Sequence, residues 1–172
     1  MRFDVVIPVH DGADTISRAV RSVVAQNPSV RVVVVDDGST DGSAQVAAGT
    51  SDRVVVITQP CRGPGAARNR GVEASTADLV VVLDADDELL PGALNAFESA
   101  HRNGARLVRS GAIVSSEGKP NRVVMAQEAR SPFPRGTPMA GTFSIDRELF
   151  RSVGVFVLGP TTGACLASHA TT

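Results

Sequence analysis

Four short strings contain the residues of this chain whose types and spacing could do chemistry. They are His10-Asp11, Asp36-Asp37-Gly38-Ser39, Arg62-Gly63-Pro64-Gly65 and Asp84-Ala85-Asp86-Asp87. Acidic groups brought to one place repel each other unless something neutralises them, and a divalent cation does so. Carboxylate oxygens are the hard ligands that Mg²⁺ or Mn²⁺ prefer, and such ions commonly share ligation with a diphosphate. The chemistry this suggests is a cation bridging Asp86, alone or with Asp84, and the two phosphates of a nucleotide. The competing reading of Asp84 to Asp87 is an acidic strand end that caps the helix after Pro91. Asp36-Asp37 also has two readings. One is a carboxylate accepting hydrogen bonds from a nucleobase imide and a ribose hydroxyl; the other is turn and cap chemistry alone. A guanidinium from Arg62, Arg68 or Arg70 can hold a phosphate through paired donors, and the glycines allow close backbone approach. Against that, at least two of the three arginines could be solvated surface charges.

Other chemistries find less support. No G-x-G-x-x-G follows the first apolar run and no P-loop lysine motif occurs, which weakens dinucleotide and ATPase readings. His10, His101 and His169 lack metal-ligand spacing. His10 is placed to reach the same edge as the acids, and the other two read as surface residues. Ser39 follows an acidic turn rather than a nucleophile elbow. Cys61 and Cys165 are far apart in sequence and read as two reduced thiols. With 17 Lys and Arg against 18 Asp and Glu, the formal net charge is -1, so neither nucleic acid nor an anionic membrane is expected as main partner. Val5-Val6-Ile7 is too short for a signal-peptide core, which makes a cytoplasmic location the expectation.

The elements that must position these residues can be read from hydrophobic patterning. Phe3 to Val9, Val30 to Val35, Arg53 to Ile57 and Leu79 to Leu83 are short, continuous runs dominated by β-branched residues, as suits strands buried on both faces of a parallel sheet. Between them, Ile16, Ala19, Val20, Val23 and Val24 recur at helical spacing, with Asp11 or Asp14 available as a cap. Asp41 to Ala48 and Gly65 to Ala74 read as further helices, and Pro91 suits a first helical position ahead of Leu94 and Phe97. Alternation of this kind predicts right-handed crossovers and a doubly wound α/β sheet, mostly parallel, with helices on both faces. Each polar string then follows a strand, and ligands bind at the carboxyl ends of strands in such sheets. Later, Arg106 to Ser115 and Asn121 to Gln127 could pair around the turn Ser116 to Pro120. Ser131 to Pro138 reads as loop, Thr142 to Ile145 as a strand, and Asp146 as the cap of a helix through Phe150. One domain of 172 residues is expected, with a ligand-binding region over 1–115, a partial second region over 116–158 and a disordered tail over 159–172.

Taken together, VVIPVHDG, VVVVDDGSTDGS, GPGAARNRGVEAS and DLVVVLDADDELLPG resemble the family 2 glycosyltransferases with the GT-A fold. The match runs from Val5 to about Phe97 in order and with matching gaps. The resemblance implies that Asp37 reads a nucleobase, usually uracil, with Pro8, Val9 and His10 as neighbours of the nucleoside. It implies that Arg68 lies near the base and diphosphate, that Asp84 contacts the ribose or sugar, and that Asp86 ligates Mn²⁺ or Mg²⁺, with Asp84 as a possible second ligand. Asp11 stands where the family more often has Asn.

A weaker resemblance continues through Gly141 to Ser144 and Arg147 to Gly154. In the family this leads to Gly-Phe-Asp-Glu and then a Glu-Asp pair supplying the catalytic base. Here Val155-Phe156 runs into Val157-Leu158-Gly159-Pro160, and no acid follows Glu148, which leaves Asp87 as a substitute candidate for the base. The expectation is therefore an inverting, metal-assisted glycosyltransferase using a nucleotide-sugar, UDP-linked first, with an unknown acceptor: a glycan, a lipid carrier or a small molecule. The alternatives are a catalytically inactive nucleotide-sugar-binding or interaction domain and, more distantly, a sugar nucleotidyltransferase. A short second half would leave apolar surface that a homodimer could cover.

Overall fold

A computed structural model describes residues 1–116, 119–124 and 142–153. Its main sheet has six strands: β1 (Phe3–Val9), β2 (Arg31–Asp36), β3 (Val54–Thr58), β4 (Leu79–Val82), β5 (Leu107–Arg109) and, later in the chain, β8 (Phe143–Asp146). Their order is β3-β2-β1-β4-β8-β5. Strands β1 to β4 are mutually parallel, with Val5 opposite Val32, Val32 opposite Val54 and Phe3 opposite Leu79. β8 enters antiparallel between β4 and β5, so the sheet is mixed and mostly parallel. β6 (Ala112–Ser116) and β7 (Lys119–Val124) form a separate antiparallel pair.

The continuous apolar runs of β1, β2 and β4 are buried on both faces of this sheet, whereas the expectation of full burial fails for β3, an edge strand that leaves Val55 exposed. Val5, Ile7, Val32, Val34, Leu79 and Val81 pack with Ile16, Val20 and Val23 of α1 (Ala13–Val24), Ala47 of α2 (Ser43–Thr50), and Leu94 and Phe97 of α4 (Ala93–Arg102). The alternate residues Val6, Val33, Val35, Val80 and Val82 face Ala67 and Val72 of α3 (Pro64–Ala74) and Phe150 of α5 (Arg147–Val153). Helix α3 lies so close to the sheet that a Cβ on Gly71 would meet Val6 Cγ1 at 2.2 Å. Only glycine permits that approach.

Several local expectations need correction. Neither Asp11 nor Asp14 caps α1; the N-cap is Gly12. Its first turn is served from another loop, where Asp41 Oδ2 accepts from Ala13 N at 2.8 Å and Ser43 Oγ accepts from Gly12 N at 2.9 Å. Pro91 is not the first residue of α4; Gly92, at φ 85°, is the cap, in a left-handed conformation that favours glycine. Asp146 does cap α5, through Leu149 N at 2.8 Å. His101 is not a surface residue: it is 7% exposed. Its Nδ1 lies 2.6 Å from Ala105 O and its Nε2 2.9 Å from Ser144 Oγ. A carbonyl only accepts, so Nδ1 carries the proton, and the Nε2 contact with Ser144 ties the end of α4 to β8. The Ser131 to Pro138 loop, the segment from Val155, Cys165, His169 and the tail lie outside the described residues. Among the described residues, no helix is long and apolar enough to cross a membrane.

Candidate functional site

From β1 the chain winds outward to β2 and β3, then returns across β1 to β4. This reversal leaves a crevice at the carboxyl ends of β1 and β4, the place where open α/β sheets bind ligands. The sequence strings converge there. His10 and Asp11 follow β1, Asp37 follows β2, and Arg62 to Gly65 follow β3. Asp84 to Asp87 follow β4. Because β1 lies between β2 and β4, Asp37 and Asp86 share one edge of the sheet.

Asp37 organises the side of this edge formed by the ends of β1, β2 and β3. It is 3% exposed. Its Oδ1 accepts from Gln59 Nε2 at 2.7 Å and Arg62 N at 2.9 Å, and its Oδ2 accepts from Gly63 N at 2.7 Å. Its backbone N–H donates to Val9 O at 2.8 Å, and its carbonyl accepts from His10 Nδ1 at 2.9 Å. Asp37 therefore fastens the loop after β3 to the ends of β1 and β2. Pro8 and Val9 are buried in β1 beneath it. The neighbouring Asp36 is equally buried, and its Oδ1 accepts from Ser39 N at 3.1 Å. The turn between them requires Gly38, which sits at φ 76°, where an added Cβ would also meet Cys61 N at 2.9 Å. Asp11 adopts φ 49° without being glycine. Asp and Asn tolerate this region best, and Asp11 Oδ1 secures it by accepting from Thr40 N at 2.7 Å. Cys61 is not a free thiol, which corrects the expectation of a reduced thiol at that position.

The acidic turn after β4 is built differently. Asp87 N donates to Asp84 O at 3.1 Å, which closes the turn. Asp84 Oδ1 accepts from Arg68 Nη2 of α3 at 2.7 Å in a partly buried ion pair. Asp86 and Asp87 are exposed as residues, while the carboxyl of Asp87 is partly shielded from water by its surroundings. Burial first, and then the neighbouring charges of Asp86 and Asp84, push the Asp87 carboxyl above its ordinary value. Arg18 of α1 braces the turn, donating to Asp86 O at 3.4 Å and pairing with Glu88 at 2.7 Å. Sequence reasoning missed Arg18, and no local pattern distinguishes it from any other outward-facing helix residue. Arg62 and Arg70 are exposed, whereas Arg68 is partly buried.

The acidic turn supplies hard oxygen donors, but among the described residues no three His, Cys, Asp or Glu side chains are grouped to hold a metal by themselves. Such a donor set suits an ion that takes one or two carboxylates and completes its shell with water and substrate phosphates. It does not suit zinc, which prefers a full cage of nitrogen and sulfur ligands.

Fold and site thus define the chain as an α/β domain of the GT-A type, with its ligand edge at the switch between β1 and β4. It belongs to glycosyl transferase family 2, whose family model matches residues 4–161. The chain is 47% identical over 99 residues to the succinoglycan biosynthesis protein ExoU of Rhizobium meliloti, covering 55% of this chain and 29% of that protein. It is 38% identical over 134 residues to ExoO of the same organism, covering 74% of this chain and 38% of that protein. The chain thus spans well under half the length of either relative. Among solved structures, residues 1–349 of S. aureus TarS superpose with a TM-score of 0.71 at 20% identity, covering 89% of this chain and 49% of that one. The mannosyltransferase PcManGT of Pyrobaculum calidifontis, in complex with GDP-Man and Mn²⁺, superposes with a TM-score of 0.67 at 21% identity, covering 90% and 47%.

Proposed function

We propose that this chain is the donor-binding part of an inverting glycosyltransferase that uses a nucleotide-sugar, UDP-linked in the first instance, with Mn²⁺ or Mg²⁺. Asp86 would ligate the cation, with Asp84 as a second ligand or a contact to ribose or sugar. The observation that carries this reading is the turn after β4. Four carboxylates, Asp84, Asp86, Asp87 and Glu88, are met there, among the described residues, by two guanidinium groups, Arg68 and Arg18. Bound there, the cation supplies charge neutralisation on the departing diphosphate. TarS, solved in complex with UDP-GlcNAc, and PcManGT, solved with GDP-Man and Mn²⁺, supply fold-level analogy for such a donor.

The chain's own residues would bind and orient. Asp37 would read a nucleobase imide through its carboxylate, whose Oδ1 already accepts from Gln59 Nε2 and Arg62 N and whose Oδ2 accepts from Gly63 N and lies 3.8 Å from Cys61 Sγ. His10, with Nδ1 committed to the Asp37 carbonyl and Nε2 3.6 Å from Asp11 Oδ2, would be a neighbour of the nucleoside. Arg68 would meet the diphosphate. Asp87 is the candidate proton acceptor for the attacking hydroxyl, because its raised proton affinity makes it a better base than an ordinary carboxylate. The acceptor is a glycan, a lipid carrier or a small molecule.

Calorimetry with UDP in the presence and absence of Mn²⁺ tests the reading. The expected result is metal-dependent binding that Asp86→Ala weakens on the order of 100-fold, about 2.7 kcal/mol. No UDP or GDP binding, or an unchanged Asp86→Ala variant, would reject it. A second reading, donor binding without transfer, draws on the sequence Val155 to Pro160, which lacks the Asp-Glu of the family motif. Donor hydrolysis or sugar transfer by the chain would exclude that alternative.

A further inference from the structure

We propose that Arg68 is a positioning residue that competes with the cation for Asp84, so that the site loads in full only when a diphosphate draws the guanidinium away. This inference rests on the donor-site reading above and deepens it.

Arg68 sits on a fixed platform. Helix α3 is held at its start by Gly63 N bonded to Asp37 and pressed onto β1 and β2 at Gly71, where a Cβ would come within 3.2 Å of Val35 as well as clash with Val6. Ala66, Ala67 and Asn69 around Arg68 are buried. The backbone of Arg68 is therefore fixed, and a shift of the guanidinium toward a ligand would be a rotation of its side chain, which is 16% exposed. From α3 that side chain reaches the start of the acidic turn beyond β4 and places Nη2 2.7 Å from Asp84 Oδ1.

A guanidinium at that distance takes one lone pair of Asp84 and places a positive charge beside the oxygens a cation would use. Two cations near one carboxylate repel, and repulsion is stronger in a partly buried site than in water. A bare cation thus meets Asp84 already paired and gains little beyond Asp86. A diphosphate changes the balance. Its oxygens offer the planar guanidinium a paired, doubly accepting partner, which releases Asp84 for the cation. Arg68 consequently opposes the cation alone and favours the cation with diphosphate. A purely structural arginine would produce no such opposition of signs.

The test measures Mn²⁺ alone, by electron paramagnetic resonance of the free ion, and UDP at saturating Mn²⁺, by calorimetry, for wild type, Arg68→Gln and Arg68→Lys. In Arg68→Gln, affinity for Mn²⁺ alone should rise on the order of 5-fold, the scale of one partly screened ion pair, while affinity for UDP with Mn²⁺ falls on the order of 10-fold, the scale of one charge-assisted phosphate contact. Arg68→Lys keeps a charge but loses the planar fork, so both changes should keep their sign and shrink. Melting curves without ligand establish that each variant is folded, and Arg68→Lys carries the test if Arg68→Gln is not. Mn²⁺ affinity that falls or stays constant in the folded variants overturns the inference. Absence of UDP binding by the wild type would instead overturn the donor-site reading, and is seen separately because the Mn²⁺ arm uses no nucleotide.

Discussion

Asp4, near the start of β1, and the turn Asp84 to Asp87, beyond the end of β4, place carboxylates at opposite ends of one sheet and treat them in opposite ways. Asp4 is 4% exposed and enclosed by donors. Arg31 grips it with Nε at 3.2 Å and Nη2 at 2.6 Å, and Ser75 Oγ and Thr76 N reach Oδ2 at 2.7 and 2.8 Å. Burial by itself would raise the carboxyl; the Arg31 hydrogen bond, joined by those from Ser75 and Thr76, outweighs it and holds Asp4 below its ordinary value. Asp87 has burial and repulsion acting together and is pushed up. A carboxylate surrounded by donors of the fold stabilises the fold. Carboxylates gathered with too few donors are left in mutual repulsion, and a ligand with positive charge relieves it. Helix α3 joins the two ends, with Arg68 facing the acidic turn and Ser75, just past its last residue, facing Asp4.

The largest expected effect breaks the closed end. Asp4→Asn leaves Arg31 without its anion and turns an amide toward backbone N–H groups, so it should cost about 3 kcal/mol, the scale of a broken buried pair. Urea unfolding measures this. UDP affinity of the folded fraction should stay at the wild-type value. Because the folded carboxyl is held below the unfolded value near 3.8, its stabilisation is fully present above that value and is lost as pH falls through the lower folded one. Urea midpoints collected down the acid range should decline more gently in Asp4→Asn than in wild type. A variant that unfolds with the wild type at neutral pH would remove the contrast between the two ends.

The middle of the comparison is the helix that connects them. Gly71→Ala places a methyl 2.2 Å from Val6 Cγ1, on a stiff, buried side chain. The helix must lift, and overpacking of this kind costs about 2 kcal/mol after alanine's better helix propensity is counted. Lifting α3 moves Arg68 and Ser75 together, so this variant alone should lower both stability and metal-dependent UDP affinity. A drop in stability with unchanged UDP affinity would show the ends to be independent.

These contacts differ in how far the sequence exposes them. Continuous β-branched runs announce β1 to β4, through burial on both faces in β1, β2 and β4, while the edge strand β3 carries the same composition with Val55 exposed, and the order of acidic strings after them places Asp37 and Asp84 to Asp87 at one edge. Asp4 gives no such sign: its partners are 27 residues away at Arg31 and more than 70 away at Ser75 and Thr76. Gly12 and Asp41 are hidden for the same reason, since α1 is capped from the loop after β2 and not by its own neighbours. His101 resembles a surface residue until β8 enters the sheet between β4 and β5 and presents Ser144 to it. Antiparallel insertion by a strand from far along the chain leaves no periodic trace. Local periodicity therefore reveals the frame and the line of acids, while the contacts that separate a closed carboxylate from an open one are set by pairs distant in sequence.

The smallest effect sharpens the open end. Asp87→Asn removes one charge from the repelling set and keeps the shape of the side chain. The carboxyl of Asp87 is raised in the folded chain, so its ionised form is disfavoured there, and the chain loses stability as pH rises through the folded value. At neutral pH the amide should therefore stabilise the protein by about 0.5 kcal/mol, the range of an exposed substitution, and the gain should vanish in acid, where the wild-type carboxyl is protonated. Mn²⁺ must then act in the reverse direction. Saturating Mn²⁺ should stabilise the wild type more than Asp87→Asn, because the cation relieves a repulsion that the variant no longer has. Thermal melts of both proteins, with and without Mn²⁺ at two pH values, measure the difference. Equal stabilisation by Mn²⁺ would mean that the charge of Asp87 is not coupled to the cation, and the proton-accepting role proposed for it would lose its physical basis.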